Sequence, residues 1–164
     1  MKRTAYTKKW PAKHLGEMIH FLESQHKDGL NIMNIAEKTG LTPQYVSALF
    51  HKDDMKLSRA EKFANDYGYT LKLYFPQKEF KFGPILISQT KRKEYPNAGN
   101  LSGLAKYLAD SNITIHRFCK ENNMSNSILS TAFKNGDIFV STLYIIVEAL
   151  GIDFVWSFEK MNHE

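Results

Sequence analysis

Apolar residues recur along the chain with two periods. Leu15, Met18 and Leu22 keep the spacing that lines one face of a helix, whereas Leu71, Leu73 and Phe75 alternate with other residues as a half-buried strand does. Combined with capping and breaking residues, these periods predict four short helices and a strand, twice over. In the first set the helices are expected near Ala12–His26, Met33–Thr39, Pro43–Phe50 and Leu57–Tyr67, with a strand over Thr70–Phe75. In the second they are expected near Leu101–Ser111, Ile115–Asn122, Asn126–Lys134 and Val140–Leu150, with a strand over Asp153–Phe158. Phe80 and Phe82 flank Lys81 and are expected as the hairpin return of the first strand. Gln89–Asn100 combines charge with Pro96 and Gly99 and suits a linker. The expected domains are 1–88, carrying a basic amino-terminal arm and a carboxy-terminal strand or hairpin, and 101–164, with its own strand, joined by the linker at 89–100.

The two sets are an internal repeat. A shift of 83 residues aligns Ile32–Phe75 with Ile115–Phe158 without a gap, and it pairs Ser47 with Ser130, Phe50 with Phe133, Asp54 with Asp137, Ser58 with Ser141, Gly68 with Gly151 and Phe75 with Phe158. Upstream, Leu15, Met18 and Leu22 match Leu101, Leu104 and Leu108 at a shift of 86, so the first copy has three extra residues near Gln25–Gly29, where a loop absorbs them. An isolated short strand is unstable, so Leu71–Phe75 is expected to pair with Phe154–Phe158. That pairing either stays within one chain, making a pseudo-dimer that shares Leu73 and Trp156, or joins two chains in a homodimer.

The centre of each copy meets steric demands that few residues satisfy. Ala36 is small where two helices must cross, Gly40 tolerates a left-handed turn, and Ile35, Leu41, Val46 and Leu49 can hold the second helix on the first. Thr42 can cap that second helix, with Pro43 at its first position, where a missing N–H costs nothing. In the second copy Asn123 takes the place of the turn glycine, and Cys119 that of the small alanine, a packing role far more than a reactive one.

The pattern Ile35-Ala36…Gly40-Leu41-Thr42…Val46-Ser47…Leu49 resembles the helix-turn-helix of the phage-repressor (Cro/C1, or XRE) family. Phe118-Cys119…Asn123-Met124-Ser125…Leu129-Ser130…Ala132 resembles it again. The likeness covers most of each half. It implies a mainly α fold of two tandem four-helix domains of lambda-repressor type, each followed by a short strand, the strands joined in a small antiparallel sheet. Two positions depart from the family: its phosphate-binding glutamine is Ile32 or Ile115 here, and Thr39 and Asn122 stand where an apolar residue is usual.

The resemblance also implies sequence-specific binding of double-stranded DNA by a repressor-like transcription regulator, with the helix from Pro43 in the major groove. The positions carried over are Thr42, Pro43, Gln44, Tyr45 and Ala48, of which Gln44 can bond adenine at two points and Tyr45 is either a contact or a partly exposed ring. Lys52, Lys56 and Arg59 follow, where they would neutralise phosphate. The second copy offers Ser125, Asn126, Ser127, Ile128 and Thr131, with Lys134 and Asn135 behind them, and Asn126 as its best base reader.

Charge sharpens this picture. Residues 1–100 hold 17 Lys/Arg against 10 Asp/Glu, and residues 101–164 hold 5 against 7, so the first half is the better partner for phosphate. Lys2, Arg3, Lys8, Lys9 and Lys13 precede the first acid, and Lys91-Arg92-Lys93 forms a second cluster. The acidic second copy leaves room for a different role, an antitoxin-like or protein-interaction module that grips a protein partner. No apolar run is long enough to span a bilayer and no export signal is expected, which together with a single cysteine suits the cytoplasm. The histidines show no ligand or triad spacing, and His14, His20 and His26 are expected at the surface. Glycine-rich phosphate loops and hydrolase motifs are missing from the sequence, so neither enzyme activity nor a cofactor or metal is expected.

Overall fold

The computed structural model describes residues 12–27, 29–77 and 95–162. The expected hairpin return at Phe80 and Phe82, the cluster at Lys91–Lys93 and the amino-terminal Lys2, Arg3, Lys8 and Lys9 lie outside them. The described chain is mainly helical with one two-stranded antiparallel sheet. In chain order come α1 (Gly16–Gln25), α2 (Ile32–Thr39), α3 (Pro43–Lys52), α4 (Leu57–Asp66), β1 (Tyr69–Tyr74), a 3₁₀ turn at Gly99–Leu101, α5 (Ser102–Asp110), α6 (Ile115–Glu121), α7 (Asn126–Asn135), α8 (Val140–Leu150) and β2 (Val155–Lys160). β1 pairs with β2 inside the one chain, the first of the two pairings expected. No helix among the described residues is long and apolar enough to cross a membrane.

Two compact units emerge, and both draw on each half of the sequence. One takes the described residues up to Lys72, together with Ile138–Ile146 and those from Trp156 onward. The other takes the described residues of Leu73–Asp137 with Val147–Val155.

In the first unit α2 packs on α3 and α4 around Met18, Ile35, Phe50 and Phe63, all removed from solvent. Helix α1 starts at Gly16 rather than at Ala12 because a remote side chain takes over its entry. The Asp53 carboxylate accepts the backbone N–H groups of Lys13 and His14 at 2.9 Å and of Leu15 at 3.1 Å. These are donors of the kind that a helix start leaves unsatisfied, and an anion suits their partial positive charge. Asp53 itself caps the carboxy terminus of α3 in the left-handed conformation, with φ of 60°.

The unit also recruits chain from the second copy. Leu57 N–H donates to the Ile138 carbonyl at 2.8 Å and Val140 N–H donates to the Met55 carbonyl at 2.9 Å, so Lys56 stands opposite Phe139 in an antiparallel bridge. These two residues are counterparts in the repeat, and a residue facing its own equivalent is the pattern of an isologous contact. Beside the bridge, the Asp54 carboxylate accepts the Ser141 N–H at 2.9 Å and its hydroxyl at 2.6 Å, an anion set at the first turn of α8.

Strand β2 closes the unit with aromatic surface. Phe158 stacks on Phe21 with centroids 4.1 Å apart, and Tyr67 and Tyr69 meet Phe21 edge-on. The Trp156 indole N–H donates to the Tyr144 hydroxyl at 3.0 Å. The strand runs two residues beyond the expected end at Phe158, and Met161 N–H reaches the Gly68 carbonyl at 3.0 Å.

Two histidines depart from the surface role expected of them. His14 stacks on Tyr144 at 5.5 Å and its Nδ1 lies 3.2 Å from the Asp53 carbonyl oxygen. His26 Nε2 sits 2.7 Å from the Tyr67 hydroxyl. Burial, then the charge of Lys38, lowers the His26 pKa, while burial and then Asp66 push the Tyr67 hydroxyl up to about 12. Both partners are thereby held in their neutral forms. His20 is exposed.

In the second unit α6 packs on α7, and Leu101, Leu104, Phe118, Leu129 and Phe133 are buried. Cys119 is fully buried and burial pushes its thiol pKa up, which leaves it a small apolar residue at the position of Ala36. The described end of the expected linker is packed structure: Ala98 is fully buried, Tyr95 lies 5.3 Å from the Phe133 ring, and the Asn100 side-chain oxygen accepts the Leu73 N–H at 3.0 Å. Gly136, the counterpart of Asp53, is also a left-handed cap, with φ of 69°. A Cβ there would meet the Asn97 carbonyl oxygen at 2.5 Å. Backbone thus fills the place that a carboxylate fills in the first copy, so no side chain fits.

Candidate nucleic-acid interface

Helix α3 is set up as its residues predict. Gly40 turns the chain at φ of 72°, Thr42 accepts the Tyr45 N–H at 3.2 Å as N-cap, and Pro43 opens the helix. Val46 and Phe50 are fully buried, which fixes the rotation of the helix and turns Gln44, Tyr45, Ala48, His51 and Lys52 toward solvent. Thr42 is exposed and Pro43 half-buried. Thr39, out of pattern for the family, is nevertheless buried, because its hydroxyl donates to the Ile35 carbonyl at 2.7 Å. Asn122 uses the same device, donating to the Phe118 carbonyl at 2.8 Å.

At the carboxy-terminal end of α3 the chain forms a cleft of about 470 Å³. Tyr45, Lys52, Lys56, Arg59, Lys62 and Phe139 line it, and Asp54 is the one acid among its described lining residues. That acid is already occupied by Ser141. Lys62 is paired with Asp66 at 2.9 Å, whereas Lys52, Lys56 and Arg59 have no carboxylate partner among the described residues. Aromatic faces take up these cations instead: Arg59 lies 5.5 Å from the Tyr45 centroid, and Lys52 and Lys56 lie 5.8 and 5.7 Å from that of Phe139. Four cations against the single carboxylate of Asp54 among the described lining residues make a local positive potential that favours an anion.

The chain matches no protein-family model, no curated protein and no solved structure.

The second group of expected residues lies on and around α7. Asn123 makes the turn at φ of 55° and Ser125 caps the helix, accepting the Ser127 N–H at 3.3 Å. Asn126, expected as the base reader, is exposed and its side-chain amide bonds His116 Nδ1 at 3.0 Å, and the Ser127 hydroxyl bonds that of Ser125 at 2.8 Å. Ile128, Thr131, Lys134 and Asn135 are exposed. At the shift of 83, the cations Lys52, Lys56, Arg59 and Lys62 become Asn135, Phe139, Thr142 and Ile145. The second copy keeps a polar outer helix and lacks the cationic cleft.

Phe139 is absent from the residues that the sequence pattern singles out. Its apolar character suggests a core position, yet it is 42% exposed and lies among first-copy cations. The repeat alignment held the signal: position 139 corresponds to Lys56, and a bridge between repeat counterparts brings these two residues together.

Proposed function

We propose that the chain binds double-stranded DNA in a sequence-specific way as a repressor-like transcription regulator, through tandem helix-turn-helix domains. In this reading α3 lies in the major groove, with Gln44, Tyr45 and Ala48 at base edges and Lys52, Lys56 and Arg59 on backbone phosphate. One observation carries it. The helix whose sequence resembles a DNA reader turns its uncharged polar face outward beside a cleft lined by Lys52, Lys56 and Arg59, none of which is paired with a carboxylate among the described residues. The bridge between counterparts Lys56 and Phe139 supports a further element, that one chain supplies what a two-fold dimer of single-copy chains would.

The second copy favours another role within the same protein. Its outer helix carries an exposed Ile128 and a single cation, Lys134, and its would-be base reader is bonded to His116. Those features suit a protein partner better than phosphate, as in an antitoxin-like module.

Titration of the full chain with a random-sequence duplex over a range of salt tests the DNA reading. The logarithm of affinity should fall linearly with the logarithm of salt, with a slope of about −2.7 or steeper if the three cations each neutralise one phosphate. Absence of binding at low salt, or binding indifferent to salt, would refute it.

A further inference from the structure

The cations of the cleft are gathered by a residue that belongs to the other copy. Lys52 leaves from the last turn of α3, and Lys56 from the bridge that follows, yet both ammonium groups stand over the one Phe139 ring at 5.8 and 5.7 Å. Exposed lysines repel one another and spread through solvent unless something holds them. The negative face of an aromatic ring attracts both without neutralising either. Phe139 sits at the position equivalent to Lys56. A lysine there would set a second ammonium opposite the first across the bridge, whereas the ring converts that repulsion into attraction. In the same cleft lining Tyr45 holds the Arg59 guanidinium at 5.5 Å in the same manner.

We propose that Phe139 is a positioning residue that holds the Lys52 and Lys56 ammonium groups, beside Arg59, as a phosphate-binding cluster. Given the DNA reading, on which this identity of the ligand rests, its ligands are backbone phosphates of the duplex. The cleft lining offers two ammonium groups and a planar guanidinium, donors suited to phosphate oxygens. Asp54, the one acid among the described lining residues, is outnumbered there by Lys52, Lys56, Arg59 and Lys62, so the cleft stays net positive.

Phe139→Leu separates ring from bulk, since leucine keeps apolar volume at a half-exposed site and removes the π face. We expect about fivefold or greater loss of duplex affinity at low salt, with helical content unchanged and Phe139→Tyr binding like wild type. A measurement on the free protein is independent of DNA: inorganic phosphate added to the full chain should shift the side-chain resonances of Lys52 and Lys56 together, and Phe139→Leu should weaken that response. If DNA binding is absent but the phosphate response depends on Phe139, the phosphate site stands with free phosphate as its ligand and the DNA reading falls. If Phe139→Leu binds DNA like wild type, or if phosphate moves the two lysines alike with and without the ring, the proposal is overturned while the DNA reading stands.

Discussion

Replacing Lys52, Lys56 and Arg59 together with alanine should lower affinity for duplex DNA by roughly 500-fold at ~0.1 M salt. Each phosphate contact contributes about 0.9 to the slope of log affinity against log salt, so three contribute about 2.7 logarithmic units at that concentration. The slope itself should flatten by about 2.7. The size of the effect follows from the absence of ion-pair partners for these three cations among the described residues. Lys62→Ala is the internal comparison, since its ammonium is held by Asp66, and it should cost much less. Lys52 and Lys56 are exposed and Arg59 half-buried, so the triple variant should unfold near the wild-type midpoint. Equal affinities for wild type and triple variant would remove the phosphate contacts from this cleft.

Asp53→Ala should destabilise the protein by about 2–4 kcal/mol in urea denaturation, more than alanine at any other polar position of the first unit. Its carboxylate is buried and serves three backbone N–H groups at the entry of α1. Alanine leaves those donors without their acceptor and still has to occupy a left-handed backbone at φ of 60°. Asp53→Gly should be milder than Asp53→Ala, because glycine removes the backbone strain and leaves only the lost acceptor. If both variants matched the wild-type midpoint, the carboxylate would not be holding α1.

The helices and strands were legible in the sequence because the signals that fix them are local. Gly40 and Asn123 take left-handed turns, Thr42 and Ser125 cap, and α8 spans the predicted Val140–Leu150. The pairing of β1 with β2 followed from the instability of a lone strand. What escaped was non-local. The delayed start of α1 depends on Asp53, 40 residues along the chain from Lys13, and the recruitment of Ile138–Ile146 to the first unit depends on a bridge between the counterparts Lys56 and Phe139. Neither leaves a periodic trace. The cations of the site were visible as residue types near a reader helix. Phe139 was not, because an aromatic in an apolar run reads as core until its neighbours are known.

A photoreactive benzophenone side chain placed singly along the surface tests most directly whether α3 faces DNA. Placed at Gln44 or Ala48, both on the outer face of α3, it should cross-link to a bound duplex, while at Glu23 on α1 or Lys72 on β1 it should not. Cross-links that form equally from Glu23 and Lys72, or that fail at both α3 positions while the duplex remains bound, would contradict the assignment of α3 as the reading helix.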